Sequence, residues 1–188
     1  MHGNALHTAL YWGQTKVAEF ILEGPDVNGY GRESCNALQA SSYWGDTECV
    51  KVLVNKGADV NADSGKYSSP LYAASLNGHF ETVKLLLDRG ADANQQGGTY
   101  SKVLQAASHQ SHIESCKLLP PNGGDVNIPG GKCHNALYAA SFRNHYEIVK
   151  LLLNRGADVN VHGGEYGTPL QAASYLGHTG IVNLLLAN

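Results

Sequence analysis

The phrase that ends at Asn28, Asn61, Asn94, Asn127 and Asn160 returns every 33 residues, and that period constrains the fold of this chain more than any other property. Leu6, Leu38, Leu71, Leu104, Leu137 and Leu170 keep the same step except for a first interval of 32, which marks one residue missing near Glu23. A unit this small cannot bury its own apolar face. Neighbouring units must stack to make a core, and the stack leaves a long surface free for contacts. The 188 residues hold six units in one repeat domain, at 1–35, 36–68, 69–101, 102–134, 135–167 and a truncated 168–188.

Charge and cysteine usage narrow the setting. Thirteen basic residues against sixteen acidic ones lack the excess expected of a nucleic-acid footprint, so no nucleic-acid partner is expected. No apolar run approaches the ~18 residues of a spanning helix and the start lacks a signal-peptide pattern, so no membrane partner is expected either. Cys35 and Cys133 fall in loops three repeats apart, too far for a bridge, and Cys116 stands where Val50, Val83, Val149 and Val182 stand in other units. Reduced thiols suit an intracellular chain, cytoplasmic in the first place with the nucleus as the alternative. The chain starts inside an opening helix and stops after Leu184-Leu185-Leu186 without a polar capping unit, which is expected of a monomeric fragment of a longer array.

Within one unit the local signals are those of two short helices. Thr168-Pro169 supplies an N-cap and a first helical position, Ala172 and Ala173 allow close helix approach, and Gly177 offers a left-handed stop. From Glu147 to Leu153, Ile148, Val149, Leu151, Leu152 and Leu153 make a second helix that is apolar over most of one side. Gly97-Gly98, Gly130-Gly131 and Gly163-Gly164 then predict tight reversing turns in projecting loops.

Thr168-Pro169-Leu170, Gly78-His79, Gly177-His178 and Gly156-Ala157-Asp158-Val159-Asn160 resemble the segments of the ankyrin repeat. The resemblance covers nearly the whole chain. It implies an all-α ankyrin-repeat solenoid of stacked helix-turn-helix units with projecting hairpin-like loops, acting as a non-catalytic scaffold that binds a partner protein. Departures from the family pattern are consistent: Gln39, Gln105, Gln171, Tyr72 and Tyr138 replace the histidine that only His7 retains, and Asn4, Asn36 and Asn135 open units in place of Thr-Pro. This wording is similar to that of ankyrin arrays of filamentous fungi.

Residues that could carry chemistry recur with the period, which is the mark of a structural role. His79, His112, His145 and His178 form a row, and the resemblance implies that each bonds the backbone of a neighbouring turn. A metal would need ligands converging on one point, and no metal or cofactor is expected. Glu48 with Lys51, Glu81 with Lys84, Glu114 with Lys117 and Glu147 with Lys150 are pairs three apart on a solvated helix face, without the enclosed pocket a general acid or base requires. No nucleophile elbow or phosphate loop is present, and no catalytic residue is assigned.

Two positions at the end of each first helix, which the resemblance places on the family's concave face, vary from unit to unit. They hold Tyr11 and Trp12, Tyr43 and Trp44, Leu76 and Asn77, His109 and Gln110, Phe142 and Arg143, and Tyr175 and Leu176. Trp, Tyr and Arg dominate binding hot spots, so this track is the expected partner-binding surface, anchored on units one and two. The alternative is that these rings pack under the overhanging loops and stiffen the array. Arg32, Lys66 and Lys132 join the expected site from the loop edge, and Tyr67, Tyr100 and Tyr166 recur in the loops as packing residues. A spacer or self-associating segment of a larger signalling protein is the competing role. Unit four should be the weakest: Lys102 replaces the N-cap, Ser111 the turn glycine, and Pro120-Pro121 cuts the second helix short, through drift or as a hinge.

Overall fold

The computed structural model describes residues 26–29, 36–63, 68–131 and 134–188. They contain five helix pairs. The first is α1 (Ala37–Trp44) with α2 (Thr47–Asn55), followed by α3 (Pro70–Leu76) with α4 (Phe80–Asp88). Next come strands β1 (Gln96–Gly97) and β2 (Ser101–Lys102), then α5 (Val103–His109) with α6 (Ile113–Leu118) and a 3-10 turn at Pro120–Asn122. The last pairs are α7 (Ala136–Phe142) with α8 (Tyr146–Leu153), and α9 (Pro169–Tyr175) with α10 (Thr179–Leu186). Tyr11, Trp12, Arg32, Lys66 and Lys132 of the expected site lie outside the described residues, as do Cys35, Tyr67 and Cys133.

Each first helix packs on the next, α1 on α3 on α5 on α7 on α9, and the second helices form a parallel layer from α2 to α10. Small residues make the first layer close: Ala40, Ala74, Ala107, Ala140 and Ala173 are fully buried at the contact. Leu38, Leu71, Leu104 and Leu137 fill the space between the layers with Val50, Val83, Cys116 and Val149 opposite. Truncating one of these leucines to alanine removes about 2–5 kcal/mol, because a stacked interior collapses only partly around the void.

The helices begin where side chains satisfy free backbone amides. Asn36 Oδ1 accepts from Gln39 N at 2.8 Å while Gln39 Oε1 accepts from Asn36 N at 2.8 Å, a reciprocal cap that Thr168 and Gln171 repeat. Asn135 accepts from Tyr138 N at 2.7 Å, so asparagine performs the task that Thr-Pro performs elsewhere. The turn into the second helix needs a left-handed residue. Gly45, Gly78 and Gly177 supply it, and Ser111 (φ 68) and Asn144 (φ 61) adopt the same geometry with a side chain.

Unit four is altered and compensated. Lys102 makes no side-chain cap, but its backbone pairs with Gln96 in the two-stranded ladder and its Nζ donates to Asn94 O at 3.1 Å. The six-residue α6 gives way to the proline turn, which carries Leu119 into the core. Gly124 stands where Ala58, Ala91 and Ala157 stand in the other units, and a Cβ on it would come within 2.8 Å of the Leu119 carbonyl oxygen. The prolines and Gly124 are thus one rearrangement.

Loop closure and surface pairing vary from unit to unit. Among the described loops a strand ladder forms only at 96–102, where Gly97 pairs with Ser101; the later loops close through Gly130 N to His134 O and Gly163 N to Gly167 O, both at 2.7 Å. Glu48–Lys51 and Glu114–Lys117 close at 2.6 and 2.7 Å, whereas Glu81–Lys84 and Glu147–Lys150 do not make the same contact, as free rotamers on a solvated face allow.

Candidate interaction face

The histidine row is a set of struts between units. His79 Nε2 meets Tyr43 O at 2.9 Å, His112 Nε2 meets Leu76 O at 3.0 Å, and His145 Nε2 meets His109 O at 3.0 Å. His178 reaches Ser141 O through Nδ1 at 3.0 Å. Since a carbonyl only accepts, each bonded nitrogen carries the proton and is closed to a metal. Among the described residues no cluster of three metal-ligating side chains exists.

A second set of bonds ties α1, α3, α5 and α7 to the loops that follow them. Gln39 Nε2 donates to Ala62 O at 3.3 Å and to Ser68 O; Gln105 Nε2 donates to Ile128 O at 3.0 Å and His134 O at 2.9 Å. Tyrosine does the same with opposite polarity, the Tyr72 and Tyr138 hydroxyls accepting from Tyr100 N at 3.3 Å and Tyr166 N at 3.2 Å. Glutamine and tyrosine thereby take over the inter-unit tie.

Below, at the repeated Asp-Val-Asn or Asp-Ala-Asn phrase, the asparagines from Asn28 to Asn127 each clamp the next unit twice. Asn61 Oδ1 accepts from Asp92 N at 2.8 Å and its Nδ2 donates to Gly90 O at 3.2 Å; Asn94 and Asn127 repeat the pattern on Asp125 and Gly123, and on Asp158 and Gly156. The sequence reading used this phrase as a ruler and missed its clamp. The signal was there, since an amide is the side chain that offers both a donor and an acceptor to one loop.

The variable track at the helix ends divides. Trp44 is 48% exposed and meets the half-buried Tyr43 edge-on at 5.3 Å between ring centres. Leu76 packs against the core, and half-buried Asn77 donates to Ala73 O at 3.0 Å. His109 lies against Tyr100 at 4.4 Å, and Phe142 sits between Tyr138 at 6.2 Å and Tyr166 at 6.0 Å. Tyr166 also stacks on Tyr175 at 4.5 Å, yet Tyr175 remains 72% exposed and Leu176 38%. Gln110 and Arg143 are exposed. The described part of the track is therefore a floor of rings roofed in places by loop tyrosines, with Trp44, Gln110, Arg143, Tyr175 and Leu176 open to solvent.

The family model for ankyrin repeats, three copies long, matches residues 6–97 and 103–188, leaving out the tip and second strand of the 96–102 hairpin and the first five residues. The chain belongs to the ankyrin repeat family. No curated protein was found similar to it. Ankyrin repeats are generally protein–protein interaction modules and typically non-catalytic.

In this ankyrin array the groups with perturbed titration lie in the core and along the histidine row. Burial pushes the Cys116 thiol up to about 12, against a small opposing effect of Ser108 at 3.5 Å, so it stays a protonated core residue. Burial lowers His109, helped by the charge of Arg143, and burial lowers His112 despite its carbonyl bond. An open groove of about 340 Å³ between α2 and α4 is lined by Glu48, Lys51, Glu81, Lys84 and Asp88 with Thr47 and Leu85, mixed charges on the solvated side. No helix among the described residues is long and apolar enough to cross a membrane.

Proposed function

We propose that this ankyrin array is a non-catalytic scaffold that binds a partner protein through the ends of its first helices and the adjoining loop tips. The observation that carries this reading is the exposure of Trp44 and Tyr175, large rings at the ends of their first helices, where most apolar side chains of the described residues are withdrawn. Large amphipathic rings held by neighbours lose little entropy on binding, and Trp and Tyr each contribute a few kcal/mol when a partner desolvates them.

The spacer reading draws on a different observation. Phe142 is enclosed by Tyr138 and Tyr166, so in that unit the ring stiffens the loop. The two roles are separable by residue: enclosed rings act in stability and open ones in recognition.

Affinity capture from native lysate tests the proposal, with the intact array set against a Trp44→Ala, Tyr175→Ala double variant shown to be folded. Retention of a protein by the intact array alone supports recognition. Identical retention by both, or none by either, returns the function to spacing.

A further inference from the structure

Most fixed charge of repeats three to six, carboxylates together with Lys84, Arg89, Lys117, Lys150 and Arg155, is exposed on the second helices and the segments that follow them. Residues 70–79, 103–112, 136–145 and 169–178, which form the first helices and their turns from repeat three onward, contain no Asp or Glu. Their charged or titratable side chains, tyrosines aside, are Arg143 and five histidines. The carboxylates of the same repeats, among them Glu81, Glu114, Glu147, Asp92, Asp125 and Asp158, are exposed on the second helices and the following phrase. Burial of the first helices keeps fixed charge of either sign out of most of this row, and the one that remains at its surface is the cationic Arg143. Repeat two differs, since Asp46 there caps Cys49 N at 3.0 Å. Glu165 lies on the loop edge beside Tyr166.

We propose that the first-helix row of repeats four to six is a docking lane for an extended acidic segment of a partner protein, a carboxylate seated on Arg143 and an apolar or aromatic side chain on Tyr175 and Leu176. This deepens the protein-binding reading and rests on it. Arg143 is exposed, and among the described residues no carboxylate comes within ion-pairing distance. Its guanidinium can therefore meet an incoming carboxylate in the two-bond geometry that Arg favours.

The spacing suits an extended chain. Packed helices stand about 8–10 Å apart, and a segment in the extended polyproline II conformation advances about 3.1 Å per residue with about three residues per turn, so every third residue returns to the same face one repeat further on. Gln110, Arg143 and Leu176 occupy equivalent places in successive repeats and would be read in that order. The stacked rings of Tyr138, Phe142, Tyr166 and Tyr175 form a preorganised floor, and the outermost ring has Tyr166 on one side with most of its surface open. One arginine is too little cationic charge for a phosphate backbone, whose binding grows with each neutralised phosphate, so a protein segment is favoured over nucleic acid.

The test starts with selection of random displayed peptides on the immobilised full chain. Labelled synthetic peptides follow: one with Glu three residues before Phe, its Glu→Gln and Glu→Lys counterparts, and single-stranded oligouridylate. We expect acidic residues to be enriched in the selected peptides and the Glu peptide to bind most tightly, with affinity falling as salt is added. Arg143→Glu should weaken it about tenfold and reverse the preference toward the Lys peptide, and Tyr175→Ala should weaken it while leaving the charge preference intact. Both variants are checked for unchanged thermal unfolding. Absence of acidic enrichment, equal binding of the Glu and Lys peptides, insensitivity to Arg143→Glu, or tighter binding of oligouridylate would each overturn the proposal. A partner captured from lysate that is lost with Trp44→Ala but kept with Arg143→Glu would sink this lane and leave the scaffold reading standing.

Discussion

Tyr138 lies beneath Gly164, in the space that a Cβ on that glycine would need, and its hydroxyl accepts a hydrogen bond from Tyr166 N at 3.2 Å. Tyr72 repeats the arrangement under Gly97 and Gly98, with Tyr100 N at 3.3 Å. The paired glycines thus let a loop settle on a ring as well as turn. Gly164, at φ +73, would carry both overlap and backbone strain if given a side chain. Gly164→Ala should destabilise by about 1–3 kcal/mol and Tyr138→Phe by about 1 kcal/mol, read as shifted urea midpoints. An unchanged midpoint for Gly164→Ala would mean that the loop does not rest on the ring.

The asparagine clamp predicts a graded series. Asn61→Ala and Asn94→Ala each remove two bonds to the next unit and should cost about 1–3 kcal/mol. Asn160, whose side-chain amide makes no bond among the described residues, is the internal control and should cost less than about 0.5 kcal/mol. Equal losses at all three positions in equilibrium unfolding would refute the clamp.

Stability should depend on pH through the lowered histidines. Burial holds His112 and His109 below their ordinary 6.5, so the folded state binds fewer protons than the unfolded chain just below that value. Their contribution is full above pH 6.5 and is lost as pH falls from there through the lowered folded values. Thermal melts between pH 8 and 5 should show this decline, and His112→Gln, tested in the same series, should show a shallower one. A melting temperature that rises on acidification over this range would contradict the sign.

Unit four should open more readily than its neighbours. It lacks a side-chain cap at Lys102, its α6 has six residues against nine in α4 and eight in α8, and Ser111 holds a left-handed turn. Amide exchange should therefore be faster in 113–119 than in 80–88 or 146–153. Equal protection would mean that Gly124 and the proline turn offset these losses fully. Gly124→Ala, pressing on the Leu119 carbonyl, should widen the difference.

Period, helix pairing, the Thr168 cap and the early end of α6 were legible in the sequence, because each depends on a residue's neighbours along the chain or on a 33-residue repeat that repetition makes visible, whereas the histidine struts were implied by the family resemblance. Thr168 announces a cap, and Pro120-Pro121 announces a break, whatever lies nearby. The fate of the variable track was decided only in three dimensions. Nothing local distinguishes Phe142 from Tyr175, yet one ring lies between Tyr138 and Tyr166 and the other has a single stacking partner and stays mostly exposed. Their difference comes from the loop at 163–167 folding back over α7, a contact between residues far apart in the chain. The same holds for charge: the residues are visible in order, but the layering of first and second helices turns their order into one face of mixed charge and one that keeps only Arg143.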